Sequence, residues 1–223
     1  MFPRGRRGGQ ETAQEALEIA REGRHGGGTL ATIVSAVALI FSGFSFYESV
    51  LKAPKLAVYV PPQIAYTDPD RPDNPFEVFV LPVTLANDGA RTGTVLALEL
   101  KVSNPRTGQS KLFYAAQYGP WAAKPQRPFA PISLAGKSAF TDAVQFFPRV
   151  GEKVKRIMDL EPGGYDFELT ANLVSAGSSG LFAPGPVKPL VFKMQAGQMD
   201  YRFFNGGGTM QMWSPDYQPA ASR

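Results

Sequence analysis

The chain has 223 residues with a net charge of +4, no cysteine, and a single histidine, His25. These counts exclude a disulfide framework and thiolate chemistry, and they leave no Ser-His-Asp triad or His-based zinc site for the body of the chain. The positive charge is spread rather than concentrated: residues 53–223 carry 17 basic and 14 acidic side chains, intermixed. Nucleic acid is therefore not an expected partner. The one local basic cluster, Arg149–Arg156, reads as a solvated surface.

Residues 1–28 read as a cytoplasmic tail. Met1–Gly9 is rich in Arg and Gly, and Gln10–Glu22 reads as a short helix with Ala13, Ala16, Leu17 and Ala20 on a weak apolar face. Gly26–Gly28 punctuates the chain before the next element.

Thr29–Tyr47 holds nineteen residues without a charge. At 1.5 Å per residue such a helix is about 28 Å long, close to the hydrocarbon thickness of a bilayer. Arg21, Arg24 and His25 precede it, and Phe44, Phe46 and Tyr47 lie at its far end as interfacial aromatics. No Ala-x-Ala site follows the run, so it is read as an uncleaved signal anchor, a transmembrane helix over 29–51, rather than a cleaved leader. The charge bias places the N-terminus in the cytoplasm and the remainder outside. Gly28, Ala31, Ser35, Ala38, Ser42, Ser45 and Ser49 recur at spacings of three and four and form a small-residue seam. Such seams let helix backbones approach closely in lipid, where packing and hydrogen bonding drive association. The expected partner is an integral membrane protein or a second copy of the helix.

Beyond Lys55 the apolar period becomes two. Leu56, Val58 and Val60 alternate, then Phe79, Leu81, Val83 and Leu85, then Leu96, Leu98, Leu100 and Val102. Further strands are expected near 111–118, 138–147 and 187–194, and Tyr165, Phe167, Leu169, Ala171 and Leu173 form another. Turn signals separate them, among them Asp68–Pro75, Asn87-Asp-Gly89, Asn104–Gly108 and Glu161–Gly164. Pro82 predicts an edge or bulged strand. Seven or eight strands without a long helix predict an all-β sandwich over 55–195. Leu160-Glu-Pro-Gly-Gly-Tyr165 resembles the turn and tyrosine corner that enter strand F of immunoglobulin-like and fibronectin type III-like domains. That resemblance implies a bond from Tyr165 to backbone a few residues upstream.

Residues 196–223 read as a C-terminal hairpin and tail, Asp200–Phe204 and Thr209–Trp213 joined by Asn205–Gly208. Tyr201, Phe203, Phe204, Met210, Met212, Trp213 and Tyr217 give it an aromatic and Met-rich surface suited to a partner contact. Phe113, Tyr114, Tyr118 and Trp121 form a second aromatic group.

No cofactor or metal is expected. Asp68–Asn74 fails the calcium-loop pattern, with Pro72 at its fifth position and Phe79 where a bidentate Glu belongs. Gly206–Gly208 lacks the Lys-Ser/Thr of a phosphate loop. The absence of cysteine and of any N-x-S/T sequon favours a bacterial periplasm over a eukaryotic surface. The sequence thus predicts a non-catalytic single-pass protein of the bacterial inner membrane. It would serve as an accessory or scaffolding subunit of a membrane complex; the alternative is a tethered module binding a cell-wall polymer, glycan or periplasmic protein.

Overall fold

A stretch without charge from Gly28 to Tyr47, rich in Leu, Ile, Val, Ala and Phe, makes Gly28–Leu51 a single helix, α1, long and apolar enough to cross a membrane. Its 24 residues measure about 36 Å at 1.5 Å per residue. Its last turn, Tyr47–Leu51, is π-helical. The computed structural model describes residues 28–67, 77–120, 127–149, 156–158, 163–174, 186–197 and 209–217. The chain divides into two units, Met1–Val50 and Leu51–Arg223.

The described residues of the second unit form eleven strands: β1 (Leu56–Tyr59), β2 (Gln63–Thr67), β3 (Val78–Asn87), β4 (Gly93–Asn104), β5 (Gln109–Tyr118), β6 (Arg127–Pro128), β7 (Ile132–Leu134), β8 (Ser138–Pro148), β9 (Gly163–Leu173), β10 (Leu190–Ala196) and β11 (Thr209–Trp213). Eight of them pair in a ring, β2-β3-β8-β5-β4-β9-β10-β11 and back to β2, every pairing antiparallel. β1, β6 and β7 add short pairings to β3, β5 and β4.

This ring corrects the expected immunoglobulin-like or fibronectin type III-like sandwich. A sandwich keeps two sheets with free edges, whereas here β5 bonds β4 over Gln109–Tyr114 and β8 over Phe113–Tyr118, so the sheet closes into an eight-stranded barrel. The tyrosine-corner resemblance falls with it. Tyr165 is a buried stave residue of β9, opposite Met194 of β10.

An eight-stranded barrel is just wide enough for side chains to fill it. Tyr66, Phe79, Phe113, Phe167 and Phe192 do so as a chain of tilted, edge-on and stacked rings, with centroids 4.9–5.4 Å apart. Aliphatic residues complete the core, including Leu81, Leu85, Leu98, Leu100, Val144 and Leu169.

Two irregularities have local causes. Leu96, expected inside, is 48% exposed because a bulge between Val95 and Ala97 shifts the β4–β9 register. Pro82 pairs with Ala143 on one side. On the other it falls between the last β2 partner, Val80, and the first β1 partner, Thr84. The strand is locally an edge there, opposite the Val60–Pro62 break, which is where a residue without an N–H is tolerated.

Candidate functional site

On α1 the first six seam positions, Gly28 to Ser45, lie in the α-helical part, and Ser49 falls in the π-helical turn. A π-turn inserts one residue into the helical ladder. Ser49 therefore leaves the strict phase of the others. Its hydroxyl donates to the Ser45 carbonyl at 2.7 Å, where the ladder changes from α to π. Thr32 likewise donates to the Gly28 carbonyl at 2.8 Å. The seam positions are exposed along the whole helix, as are Leu30, Ile33, Ile40, Phe41 and Phe44.

At the other end of the chain, β11 pairs with β2 along all five of its residues and with β10 through Gln195 and Trp213. The alternation of β11 turns Met210 and Met212 into the barrel, where they are 2% and 0% exposed. They belong to the core, so among the described residues of this set only Trp213 and Tyr217 are left for a contact surface. Those two rings stack at 5.6 Å and 7°, and Tyr217 is exposed. Tyr201, Phe203 and Phe204 lie outside the described residues, as do the tail helix Gln10–Glu22, the Asp68–Pro75 turn, most of Arg149–Arg156 and Trp121. Of the second aromatic group, Phe113 is core and Tyr114 half-buried. Tyr118 faces Phe129 and Phe140.

The two barrel ends carry polar clusters, of whose members only Asn87 and Asn104 stand in turn signals of the sequence. At the end of β3, buried Asn87 ties three segments together. Its amide donates to the carbonyls of Arg91, Leu134 and Ala135, and its oxygen accepts from Lys55 N and Gly89 N. The lead-in segment is clasped to the same turn by Asp88 N to Lys55 O and by Ala90 N and Arg91 N to Lys52 O.

At the opposite end, where β3 starts, Glu77 is fully buried and paired with buried Lys111 at 2.5 Å. Tyr66, Ile157 N and Met158 N donate to its other oxygen at 3.0, 2.8 and 3.2 Å. Asn74-Pro-Phe76 precedes Glu77 and β3 follows it directly, so the residue resembles a solvated acid at the turn before a strand; no local signal marks it as buried.

A third cluster surrounds Tyr118. Its hydroxyl donates to the Ala130 carbonyl at 2.9 Å, Arg127 lies over its ring, and Arg127 pairs with Asp142. Burial pushes the Tyr118 phenol above its ordinary range; the Asp142 carboxylate adds to the shift and the Arg127 guanidinium opposes it.

No protein-family model matches the chain, and no curated protein matches it. Among solved structures, a protein described as ApaA from Bordetella pertussis is 12% identical with a TM-score of 0.29, covering 75% of this chain and 99% of its own. A second structural-genomics target, SoR45, is 10% identical with a TM-score of 0.28, covering 77% of this chain and 94% of its own. Likenesses of this size carry no argument, and the barrel rests on its strand pairing.

No group of three or more potential metal ligands occurs among the described residues. The charged side chains that are buried, Glu77 and Lys111, are committed to each other and to backbone.

Proposed function

We propose that this chain is a non-catalytic single-pass membrane protein, an accessory or scaffolding subunit of a membrane protein complex. In this reading α1 lies in the bacterial inner membrane with the N-terminus cytoplasmic and the β-barrel periplasmic. The partner is an integral membrane protein, or a second copy, met through the small-residue face. The observation that carries the proposal is a fully exposed apolar helix whose Ala31, Ser35, Ala38 and Ser42 share one side. In lipid, small residues at this spacing give close backbone approach, and the bulky side chains are left for lipid tails.

The test is purification of the tagged full-length chain from mildly solubilised membranes, with co-purifying proteins identified by mass spectrometry. A stoichiometric integral-membrane partner, or a discrete homo-oligomer that depends on α1, is expected. Recovery of a monomer alone overturns the proposal.

The Trp213–Tyr217 stack favours a second reading, a tethered module for a cell-wall polymer, glycan or periplasmic protein. An exposed aromatic platform is what a sugar face stacks on. Binding of envelope polysaccharide that is lost in Tyr217→Ala would move the weight to it.

A further inference from the structure

Glu77 and Lys111 place charge where a barrel filled with aromatic rings has no need of it. Their side chains are 0% and 2% exposed. Removing two ions from water offsets most of their mutual attraction, and apolar groups of similar volume commonly serve stability as well or better. Barrel stability alone therefore does not account for the pair.

The remaining bonds of the carboxylate do. An ionised carboxylate offers about four acceptor positions. Lys111 Nζ uses Oε2, and Oε1 takes the Tyr66 hydroxyl and the backbone N–H groups of Ile157 and Met158. Those two N–H groups belong to the connection between β8 and β9, not to any stave. Ile157 and Met158 insert their side chains into the core at 3% and 5% exposure, while Arg156 beside them is exposed. Asn104, at the end of β4, reaches the Ile157 carbonyl with its amide at 3.5 Å. Its own oxygen is held by Arg106 N and Thr107 N. The ends of β2 and β4 and the starts of β3 and β5 thus converge on a few residues of one connection.

The geometry points to Arg156–Met158 acting as a strap across this end of the barrel, with the Glu77 carboxylate as its latch. Lys111 is the counter-ion that makes a buried carboxylate tolerable there. Glu77 is a positioning residue for the strap. The inference does not depend on the proposed membrane partner, because every group in it lies within the barrel unit.

The experiment compares the full-length wild-type chain in detergent with Glu77→Met/Lys111→Met, which replaces the ion pair by apolar side chains. Three quantities are read: hydrogen exchange at Ile157 and Met158, tryptic cleavage after Arg156, and exchange in β3 and β8 as the internal reference. In the double variant the barrel is expected to keep its melting temperature and its β3 and β8 protection. Exchange at Ile157 and Met158 should rise at least about tenfold, the factor that loss of one charge-assisted hydrogen bond supplies. Cleavage after Arg156 should accelerate with it.

Unchanged protection at 157–158 in the folded double variant would show that apolar packing alone holds the segment, and would overturn the latch. A uniform loss of protection through β3 and β8 would make the pair general glue and would overturn the latch equally. Where the double variant does not fold, Glu77→Gln keeps the shape but removes the charge and replaces one of the two acceptor oxygens by an NH2 donor. The selective rise at 157–158 is then the expected outcome, and an equal rise everywhere overturns the proposal.

Discussion

A Cβ on Gly89 would sit 2.1 Å from the Ala53 carbonyl oxygen, and one on Gly136 would sit 1.9 Å from that of Ala90. These glycines are required by close approach of backbone to backbone, since a main-chain oxygen cannot swing aside. They let the lead-in segment, the β3–β4 turn and the loop before β8 stack around Asn87. Gly89→Ala or Gly136→Ala is therefore expected to destabilise the barrel by about 1–3 kcal/mol, the usual cost of overpacking. Gly164→Ala, with nothing within 4 Å of its Cβ position, serves as the control and should be close to neutral. Denaturant unfolding of the three variants checks this; a Gly164→Ala loss as large as the others would contradict it. Tyr118 supplies a pH dependence at the same scale. Its phenol ionises above its ordinary range in the folded barrel and near pH 10 when unfolded. Its contribution is intact below about pH 10. It is lost as the pH rises through the folded value, because the unfolded chain releases its proton first. Tyr118→Phe is expected to lower stability at neutral pH, through the lost bond to Ala130, yet to show a shallower alkaline decline. Denaturation midpoints followed from about pH 9 to 11 would show parallel slopes if this is wrong.

Among the elements, α1 makes the sharpest claim. Leu at Ser35, Ala38 and Ser42 raises hydrophobicity while filling the groove that close helix approach needs. The triple variant is expected to insert normally, keep the barrel's melting temperature and lose the proposed membrane partner. A complex that survives the change removes the seam from consideration. The strands show what sequence can and cannot say. Alternation in 79–85, 98–102 and 165–173 reports one buried face per strand, and β3, β4 and β9 lie there. The same alternation is satisfied by a sandwich or a barrel, because it says nothing about which strand lies next to which. Closure depends on β5 changing partner part-way along, from β4 to β8, and no residue type in 109–118 announces that. β6 and β7 are two and three residues long, too short for any period to appear. Pro82 was legible because a missing N–H has one structural meaning in a strand, whereas Leu96 was not, since a bulge moves it outward without altering the local pattern. The polar clusters were hidden for a related reason. Glu77 acquires its role from partners 11 to 81 residues away in sequence and carries no local signature, whereas Asn87 combines a local bond from Gly89 N, two residues on, with partners up to 48 residues away, so only its turn was legible.

For the whole molecule, the question is whether recognition resides in α1 or in the barrel. A chain beginning at Leu51 retains all eleven strands, the lead-in segment clasped at Lys52 and Lys55, and the Trp213–Tyr217 stack. The ring closes on itself, and each stave contributes to one continuous aromatic and aliphatic core. Such a unit buries enough apolar surface to fold alone, and a closed ring leaves few unpaired strand edges through which to aggregate. Without residues 1–50 the chain is expected to be soluble and monomeric, to unfold in a single cooperative transition, and to lose the proposed membrane partner entirely. Light scattering, thermal unfolding and repetition of the affinity purification test the three parts in turn. If the truncated chain still captures the partner, recognition belongs to the barrel, and Trp213 and Tyr217 become the first positions to substitute. If it is folded but captures nothing, while the full chain does, the exposed helix is what the complex reads and the barrel is its cargo.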